Sequence, residues 1–293
     1  FPYTTLFRST GEVVKYLMNG GSKNSFTYNP IEYKFSNGEK ISFESLKDKK
    51  ALVIGAGALG NFLGTGLAQS GVGNIYLADD DEIDATNLNR QIMFYDKVGM
   101  RKAEVLAQRL MEINPDVNAT PIIKRVNEKF ERKLKEINPD VIIDCVDNLS
   151  TRAVLNFFAV KYKKPLVSGG TDHEKGQVVV YQKGKSECLD CRLKVEEAYA
   201  KQRASHSCIY AATPSVVVTN HVIGGLMASE TRSVLKPENY GKAVNRMIKY
   251  DSTKNALMGL VGTDKPCKCK TRASTKSWIE KIMKKNKNQN NNE

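Results

Sequence analysis

The stretch KALVIGAGALGNFLGTGLAQSGVGNIYLADDD, residues 50–81, contains the pattern that decides the fold. It predicts a buried strand, a glycine turn, a helix and a second strand, because the apolar runs ALVIG and NIYLA flank a segment of helix length. The turn GAGALG matches G-x-G-x-x-G at Gly55, Gly57 and Gly60, directly after the first strand. Glycines in this pattern let a phosphate approach the N–H groups of a helix N-terminus, so the stretch predicts a nucleotide site.

The alternation of strand and helix continues to about residue 170 and includes a strand pattern at ATPIIKRV, residues 119–126. Such alternation predicts an α/β fold with a Rossmann-like, mainly parallel sheet and helices on both faces. The pattern then changes. GQVVVYQKG, residues 176–184, predicts an antiparallel section, a long apolar helix is expected to begin at Pro214, and residues 244–261 predict a closing hairpin.

Polar residues follow the second strand closely. Asp79 ends that strand, where a carboxylate can bind ribose hydroxyls. The segments TNLNRQ and GMRK then supply Asn87, Arg90, Gln91 and Lys102. An enzyme that neutralises the charge of a developing pyrophosphate needs such cations. The glycine pattern alone is typical of NAD-dependent oxidoreductases, but their reaction does not require Arg and Lys at this place. The alternative for Arg90 and Lys102 is that each pairs with surface acids.

The segment DCVDN places Asp144 and Asp147 at the end of another buried strand. Open α/β sheets bind their ligands beyond the carboxyl ends of the strands. Carboxylates at this edge can hold Mg²⁺ that bridges phosphates. The sequence therefore predicts Mg²⁺ beside the nucleotide.

Two close cysteine pairs lie far apart in the chain, Cys188 with Cys191 and Cys267 with Cys269. In a chain that otherwise reads as a cytosolic α/β enzyme, such pairs favour metal binding or redox chemistry over a disulfide framework. Four thiolates suffice for a closed tetrahedral Zn²⁺ site that stabilises the fold without catalysing a reaction. A redox pair is the alternative for Cys188 and Cys191.

The motifs GAGALG, TNLNRQ, GMRK, DCVDN, PLVSGG, GQVVVY, CLDC and CKC occur in an order that resembles the ThiF/MoeB/HesA superfamily over residues 48–270. Members of that superfamily adenylate ubiquitin-like proteins and sulfur carriers. The resemblance implies a homodimer that uses Mg²⁺ and ATP to adenylate the C-terminal glycine of a small β-grasp protein ending in Gly-Gly. Pyrophosphate is the leaving group.

The resemblance also implies roles for individual residues. Asp147 would hold Mg²⁺ and be the residue most needed for adenylation. The implied ATP contacts are the turn glycines Gly55, Gly57 and Gly60, Asp79 at the ribose, Asn87, Arg90 and Lys102 at the phosphates, Gln91 as a support for that loop, and Asn148 beside Asp147. Two departures stand out: Ala58 replaces a glycine usual in the family, and residues 10–50 lack the arginine that often reaches the partner subunit's ATP.

Cys208 lies between the two cysteine pairs, just before the long apolar helix. The resemblance places it where relatives carry a cysteine that forms a persulfide or a thioester. A thiol near a helix N-terminus is also more readily ionised. The alternative is a small buried residue, since free cysteine often packs as an apolar side chain. His206 could assist or be structural, and Cys145 is expected in the core.

Four regions are expected. Residues 1–9, FPYTTLFRS, match the translation of a common sequencing adapter, residues 10–47 form a lead-in, residues 48–270 form the adenylation domain, and residues 271–293 are a basic low-complexity tail. The net charge is +13, and the last 29 residues contribute +7 of it, nine Lys or Arg less two acids. A solvated tail explains this charge more simply than nucleic-acid binding does, so no nucleic-acid partner is expected.

Neither a run of about 18 apolar residues nor a secretory pattern is visible, which predicts a cytoplasmic protein without a membrane segment. Three functional alternatives to the activating enzyme are an adenylating enzyme for a small molecule, peptide or tRNA base, an NAD-dependent oxidoreductase, and a non-catalytic dimer partner. The last would be expected to lack Arg90, Lys102 or Asp147, and all three are present.

Overall fold

The structure is a computed structural model that describes residues 46–195, 217–254, 256–261 and 267, with the backbone alone for residues 256–261. The strands are β1 (Lys50–Ile54), β2 (Asn74–Ala78), β3 (Asn118–Ile122), β4 (Val141–Asp144), β5 (Leu166–Asp172), β6 (Lys175–Tyr181), β7 (Met247–Asp251) and β8 (Ala256–Val261). The α-helices are α1 (Ala58–Gln69), α2 (Lys102–Ile113), α3 (Glu131–Ile137), α4 (Leu149–Tyr162), α5 (Leu189–Leu193), α6 (Val217–Leu235) and α7 (Pro237–Tyr240). Single 3₁₀ turns occupy Ala85–Asn87, Ile92–Phe94, Glu128–Phe130 and Ser252–Lys254.

The eight strands form one sheet in the order β3-β2-β1-β4-β5-β6-β7-β8. The pairs from β3 to β5 are parallel, and those from β5 to β8 are antiparallel. The predicted change from parallel to antiparallel strands is thereby confirmed, as is the closing hairpin of β7 and β8. The strand order reverses between β1 and β4, and a reversal of this kind opens a crevice at the carboxyl ends of the strands.

Both faces of the sheet are covered by helices, as predicted. Side chains of β1 alternate between two cores: Val53 packs with α1, α2 and α6, whereas Leu52 and Ile54 pack with α3, α4 and α5. Successive side chains of a strand point to opposite faces, so a strand buried on both sides must be apolar throughout. The uninterrupted run ALVI therefore follows from the position of β1 in the middle of the sheet.

One strand differs in extent from the sequence expectation. Strand β3 ends at Ile122 and not at Val126, and it includes Pro121. Because β3 is at the edge of the sheet, the missing N–H of proline is tolerated there. Helix α6 is described from Val217 onward, and its expected start at Pro214 lies outside the described residues.

Helix α6 packs along α1, where the rings of His221 and Phe62 stack with their centroids 4.6 Å apart. This contact supports the helix that follows the glycine turn. In the part of the chain that the structure describes, no helix has both the length and the apolar character needed to cross a bilayer.

Candidate active site

The glycine turn joins β1 to α1 at the carboxyl edge of the sheet. Gly55 has φ +96°, and a Cβ there would lie 2.8 Å from the carbonyl oxygen of Cys145. A Cβ at Gly60 would lie 2.2 Å from the carbonyl oxygen of Gly55, so the fold itself requires both glycines. A Cβ at Gly57 would meet only Gln91 Nε2, at 3.7 Å. Neighbouring atoms therefore do not explain Gly57, whereas a phosphate close to the backbone at the start of α1 would.

Asp79 follows β2 and holds the glycine turn in place. Its Oδ2 accepts a hydrogen bond from Ala56 N at 2.6 Å, and its Oδ1 accepts one from Asp81 N at 2.8 Å. Burial raises the pKa of the Asp79 carboxyl above its usual value, and these two N–H groups only partly offset that effect. The carboxylate therefore shapes the turn, and the remaining lone pairs of its oxygens are suited to ribose hydroxyls.

Lys102 begins α2 and is brought back to the end of β2. Its backbone N donates to Asp81 O at 3.0 Å, and its Nζ lies 2.8 Å from Asp81 Oδ2. Arg101 supports this pairing through Glu82, at 3.3 Å, and through the carbonyl oxygen of Asp80. For Lys102, pairing with an acid is thus what the structure shows. Only 8% of Lys102 is exposed, whereas the Asp81 side chain is largely exposed.

Arg90 has a different environment from Lys102. Its Nη1 donates to Asn89 Oδ1 at 2.9 Å and to Thr86 O at 3.4 Å. Among the described residues no carboxylate pairs with it. Asn87 closes the same turn, because its Oδ1 accepts from Asp84 N at 3.4 Å. The positive charge of Arg90 is therefore available to an anionic ligand, and Asn87 contributes to the loop that presents it.

Gln91 and Asn61 lie behind the glycine turn. Gln91 is 5% exposed, and its Oε1 lacks a hydrogen-bond partner within the described ranges. A buried amide oxygen without a partner is costly, so this atom points to a ligand beside the turn. Asn61 is fully buried and donates to Ala56 O at 2.8 Å and Gly57 O at 3.0 Å, while its Oδ1 accepts from Met93 N at 2.9 Å.

The structure separates the two aspartates of DCVDN. Asp144 is fully buried and accepts hydrogen bonds from Ser168 Oγ at 2.6 Å and Val146 N at 3.1 Å. It also pairs with Arg152 Nε at 3.2 Å, so the expectation that it could share a Mg²⁺ ion does not fit its surroundings. Asp147 is exposed, and within the described part of the chain no hydrogen bond or ion pair involves its carboxylate.

Asn148 has a structural role in the described chain. Its Oδ1 accepts from Thr151 N and from Ser150 Oγ, each at 2.9 Å, and it caps the N-terminus of α4. Side chains at this position commonly satisfy the free N–H groups of a first helical turn. Of the adjacent pair, Asp147 is therefore the residue whose side chain is free to bind a ligand.

Three of the four predicted thiol ligands lie together. Cys267 Sγ is 3.4 Å from Cys191 Sγ and 3.5 Å from Cys188 Sγ. Four thiolates bound to one Zn²⁺ at about 2.3 Å would be roughly 3.8 Å apart, so the three sulfurs fit a single ion. Cys269 lies outside the described residues, as do Cys208 and His206.

The thiol cluster of Cys188, Cys191 and Cys267 lies away from the glycine turn. Cys267 N donates to Ser186 O at 3.1 Å, just beyond the end of β6. The pairing of Tyr181 with Leu166 places that end of β6 beside the start of β5. The cluster therefore lies near the amino ends of the parallel strands, opposite the glycine turn at their carboxyl ends. A metal bound there would stabilise the fold without touching the nucleotide site. Cys145 is in the core, as expected, and burial raises the pKa of its thiol well above the usual value.

The comparison with known families decides the assignment of the chain. The profile of the ThiF family matches residues 32–271. The chain belongs to the ThiF family. This assignment confirms the resemblance seen in the sequence.

Named relatives of this ThiF-family chain are adenylyltransferases, and the chain is an enzyme of that class. The molybdopterin-synthase adenylyltransferase of Escherichia coli K12 is 35% identical over 215 residues, which cover 71% of this chain and 81% of the relative. The sulfur carrier protein ThiS adenylyltransferase of the same organism is 35% identical over 151 residues, 50% of this chain and 60% of that protein. Use of ATP follows from membership of this class.

Solved structures support the same fold. Escherichia coli MccB, in a crystal structure with AMPCPP and selenomethionine MccA, has a TM-score of 0.65 and 24% sequence identity to this chain. The match covers 78% of this chain and 67% of MccB. At this identity the likeness shows the fold alone.

In this ThiF-family fold, the carboxyl edge of the parallel strands gathers the glycine turn, Asp79, Asp147 and the loop from Asn87 to Lys102. Sequence reasoning assigned no role to two residues at the same ends of the strands, Asn61 and Arg152. A polar residue on the apolar helix α1 was the available signal for Asn61. For Arg152 the signal was weaker, because an arginine in the first turn of a helix gives no indication that it is buried.

Proposed function

We propose that this chain adenylates the C-terminal glycine carboxylate of a small β-grasp protein, a ubiquitin-like or sulfur-carrier protein ending in Gly-Gly. The observation that carries the proposal is the carboxylate of Asp147, which makes no hydrogen bond or ion pair among the described residues. It lies at the crevice, at the same ends of the strands as Gly57, which has no side chain to cover the backbone. Two relatives that this chain matches over most of their length are adenylyltransferases, which supports the same reaction.

In this reaction an oxygen of the substrate carboxylate attacks the α-phosphorus of ATP. The bond from that phosphorus to the oxygen bridging it to the β-phosphate breaks, and pyrophosphate leaves with its electron pair. A carboxylate is already ionised at neutral pH, so no general base is needed. Catalysis then consists of positioning and of neutralising the charge that develops on the phosphates.

The residues divide these tasks. Arg90 meets the phosphates with a charge that no described carboxylate neutralises, and Lys102 exchanges Asp81 for a phosphate oxygen. Asp79 and Gln91 hold the ribose side and the loop. Asp147 holds Mg²⁺, which offsets phosphate charge when bound.

The thiol cluster, together with Cys269, holds a structural Zn²⁺ ion. The sulfur separations of 3.4 and 3.5 Å support this proposal, as does the location of the cluster beyond the end of β6 that pairs with the start of β5. Closed four-thiolate sites leave no open position for catalysis. The chain acts as a homodimer, which the resemblance of its motifs to the superfamily supports, and it acts in the cytoplasm, where close cysteine pairs commonly bind metal.

A later covalent step uses Cys208. Its thiolate attacks the acyl carbon of the adenylate, AMP leaves, and a thioester forms; if Cys208 carries a persulfide, the product is an acyl disulfide. The first outcome serves protein conjugation and the second serves sulfur transfer.

Intact-mass spectrometry tests both steps. The protein is incubated with Mg²⁺, ATP, pyrophosphatase and a β-grasp protein that ends in Gly-Gly. We expect wild type and Cys208→Ala alike to add one adenylyl group to the β-grasp protein, and only wild type to form the enzyme adduct. Loss of adenylation in a folded Cys208→Ala variant contradicts the separate role of Cys208. Absence of the adenylate with wild type contradicts the proposed activity.

A further inference from the structure

Arg152 is a buried arginine in the first turn of α4, and only 8% of it is exposed. Its Nε lies 3.2 Å from Asp144 Oδ2, at the end of β4. Its Nη2 donates to Val146 O at 2.7 Å and to Gly169 O, in β5, at 2.8 Å. A single guanidinium therefore ties the end of β4, and the loop that leaves it, to the middle of the neighbouring strand β5.

This loop leads directly to Asp147, and its last peptide groups before that residue are fixed from both sides. Val146 N donates to Asp144 Oδ1 at 3.1 Å, and Val146 O accepts from Arg152. On the other side of Asp147, Asn148 caps α4 through Thr151 N. The side chain of Asp147 is exposed, so these contacts fix the backbone from which its carboxylate projects.

We propose that Arg152 is a positioning residue for adenylation, which fixes the loop of Asp147 so that this carboxylate meets Mg²⁺ bound with ATP. The inference rests on the proposed function. Arg152 acts through Val146 and does not itself touch the metal. Partners that orient a metal-binding group commonly change metal affinity or activity by 10- to 100-fold when they are altered.

The competing role for Arg152 is structural, as the partner of a buried acid. Buried ion pairs contribute little net stability compared with well-packed neutral residues, so stability alone is a weak reason for this pair. Lysine could not make the same set of hydrogen bonds at this position. Only the planar guanidinium group of arginine donates to a carboxylate and to two carbonyl oxygens at once.

The first test variant is Arg152→Lys, which keeps the charge beside Asp144 and loses the fork. The thermal midpoint of unfolding is measured at fixed ATP while the Mg²⁺ concentration is varied. We expect the Mg²⁺ concentration at half-maximal stabilisation to rise about tenfold or more, and ATP–pyrophosphate exchange to recover as Mg²⁺ is raised. Arg132→Lys, an exposed arginine of α3, is the matched control and should behave as wild type.

A second variant guards against misfolding of the first. Asp144→Asn combined with Arg152→Met removes both buried charges and still lacks the donors to Val146 O and Gly169 O, so the same shift in Mg²⁺ dependence is expected. An unchanged Mg²⁺ dependence in a folded variant overturns the positioning role alone, as does activity that is lost only in proportion to folded protein. A wild-type protein that Mg²⁺ and ATP do not stabilise overturns the proposed function, and the positioning role with it.

Discussion

At the scale of single residues, the crevice contains two kinds of polar side chain. Some make hydrogen bonds that hold the fold, and others remain available to bind a ligand. Asp144 and Asn148 are fully engaged by neighbouring donors, although they flank the same short loop as Asp147. Arg90 and Asp147 keep their charges without an oppositely charged partner among the described residues. This division tells which substitutions should affect chemistry without affecting stability.

Asp147→Asn is predicted to lower the rate of ATP–pyrophosphate exchange by about a hundredfold or more, because the carboxylate proposed to hold Mg²⁺ is lost. The thermal midpoint should stay that of wild type, since the side chain is exposed and makes no hydrogen bond or ion pair within the described ranges. Asp116→Asn, another exposed aspartate, is the control and should exchange normally. Wild-type exchange in Asp147→Asn would remove Asp147 from the mechanism.

At the scale of elements, the geometry of the glycine turn depends on α1. Asn61 holds the carbonyl oxygens of Ala56 and Gly57 and, through Met93 N, joins the turn to the segment that follows Gln91. The glycine turn and the segment that follows Gln91 are therefore fixed to one another by a single amide.

Asn61→Ala is predicted to lower the free energy of unfolding by about 2 kcal/mol and to weaken ATP binding, because buried backbone groups lose their partner. Denaturant unfolding and calorimetric ATP binding measure the two effects. Asn114→Ala is the matched control: Asn114 donates to Ala68 O at 2.7 Å, at the other end of α1, so its loss should cost stability and spare ATP affinity. If Asn61→Ala and Asn114→Ala bind ATP with equal affinity, Asn61 is not needed for the nucleotide site.

Helix α5 contains Cys191 and is preceded by Cys188 at its N-cap, so two of the three thiols of the cluster belong to this short helix and its cap. Cys191→Ser is predicted to lose bound zinc and to lower the thermal midpoint, because metal binding at a closed site contributes directly to folding. Elemental analysis should find about one zinc per wild-type chain, and Lys185→Ala, exposed and near the cluster, should retain it. One zinc per two wild-type chains, or zinc retained in Cys191→Ser, would contradict the four-thiolate site.

How far the sequence predicts this molecule differs between elements. Strands β1 and β2 and the turn between them were predictable, because apolar runs and glycine spacing are local signals. The different environments of Asp144 and Asp147 were not, since they depend on Arg152 in the next helix and Ser168 in the next strand. Pairing of Lys102 with Asp81 was open in the sequence for the same reason: which acid reaches a lysine is decided by tertiary structure.

At the scale of the whole molecule, the sheet keeps two tasks apart. The carboxyl ends of the parallel strands carry the glycine turn and the charged loop, and the opposite edge carries the thiol cluster beyond β6. The antiparallel strands β6 to β8 extend the sheet on the side of β5. The proposed metal binding and the proposed nucleotide chemistry can therefore be disrupted separately, as the variants above require.

The most direct test of the account is ATP–pyrophosphate exchange by the purified protein with a β-grasp protein ending in Gly-Gly, taken from the same source genome. The control is that partner without its terminal glycine. We predict exchange only with the intact partner, because its terminal carboxylate is the group adenylated. Exchange that is equal with the shortened partner, or absent with the intact one despite binding of Mg²⁺ and ATP, would contradict adenylation of a protein C-terminus.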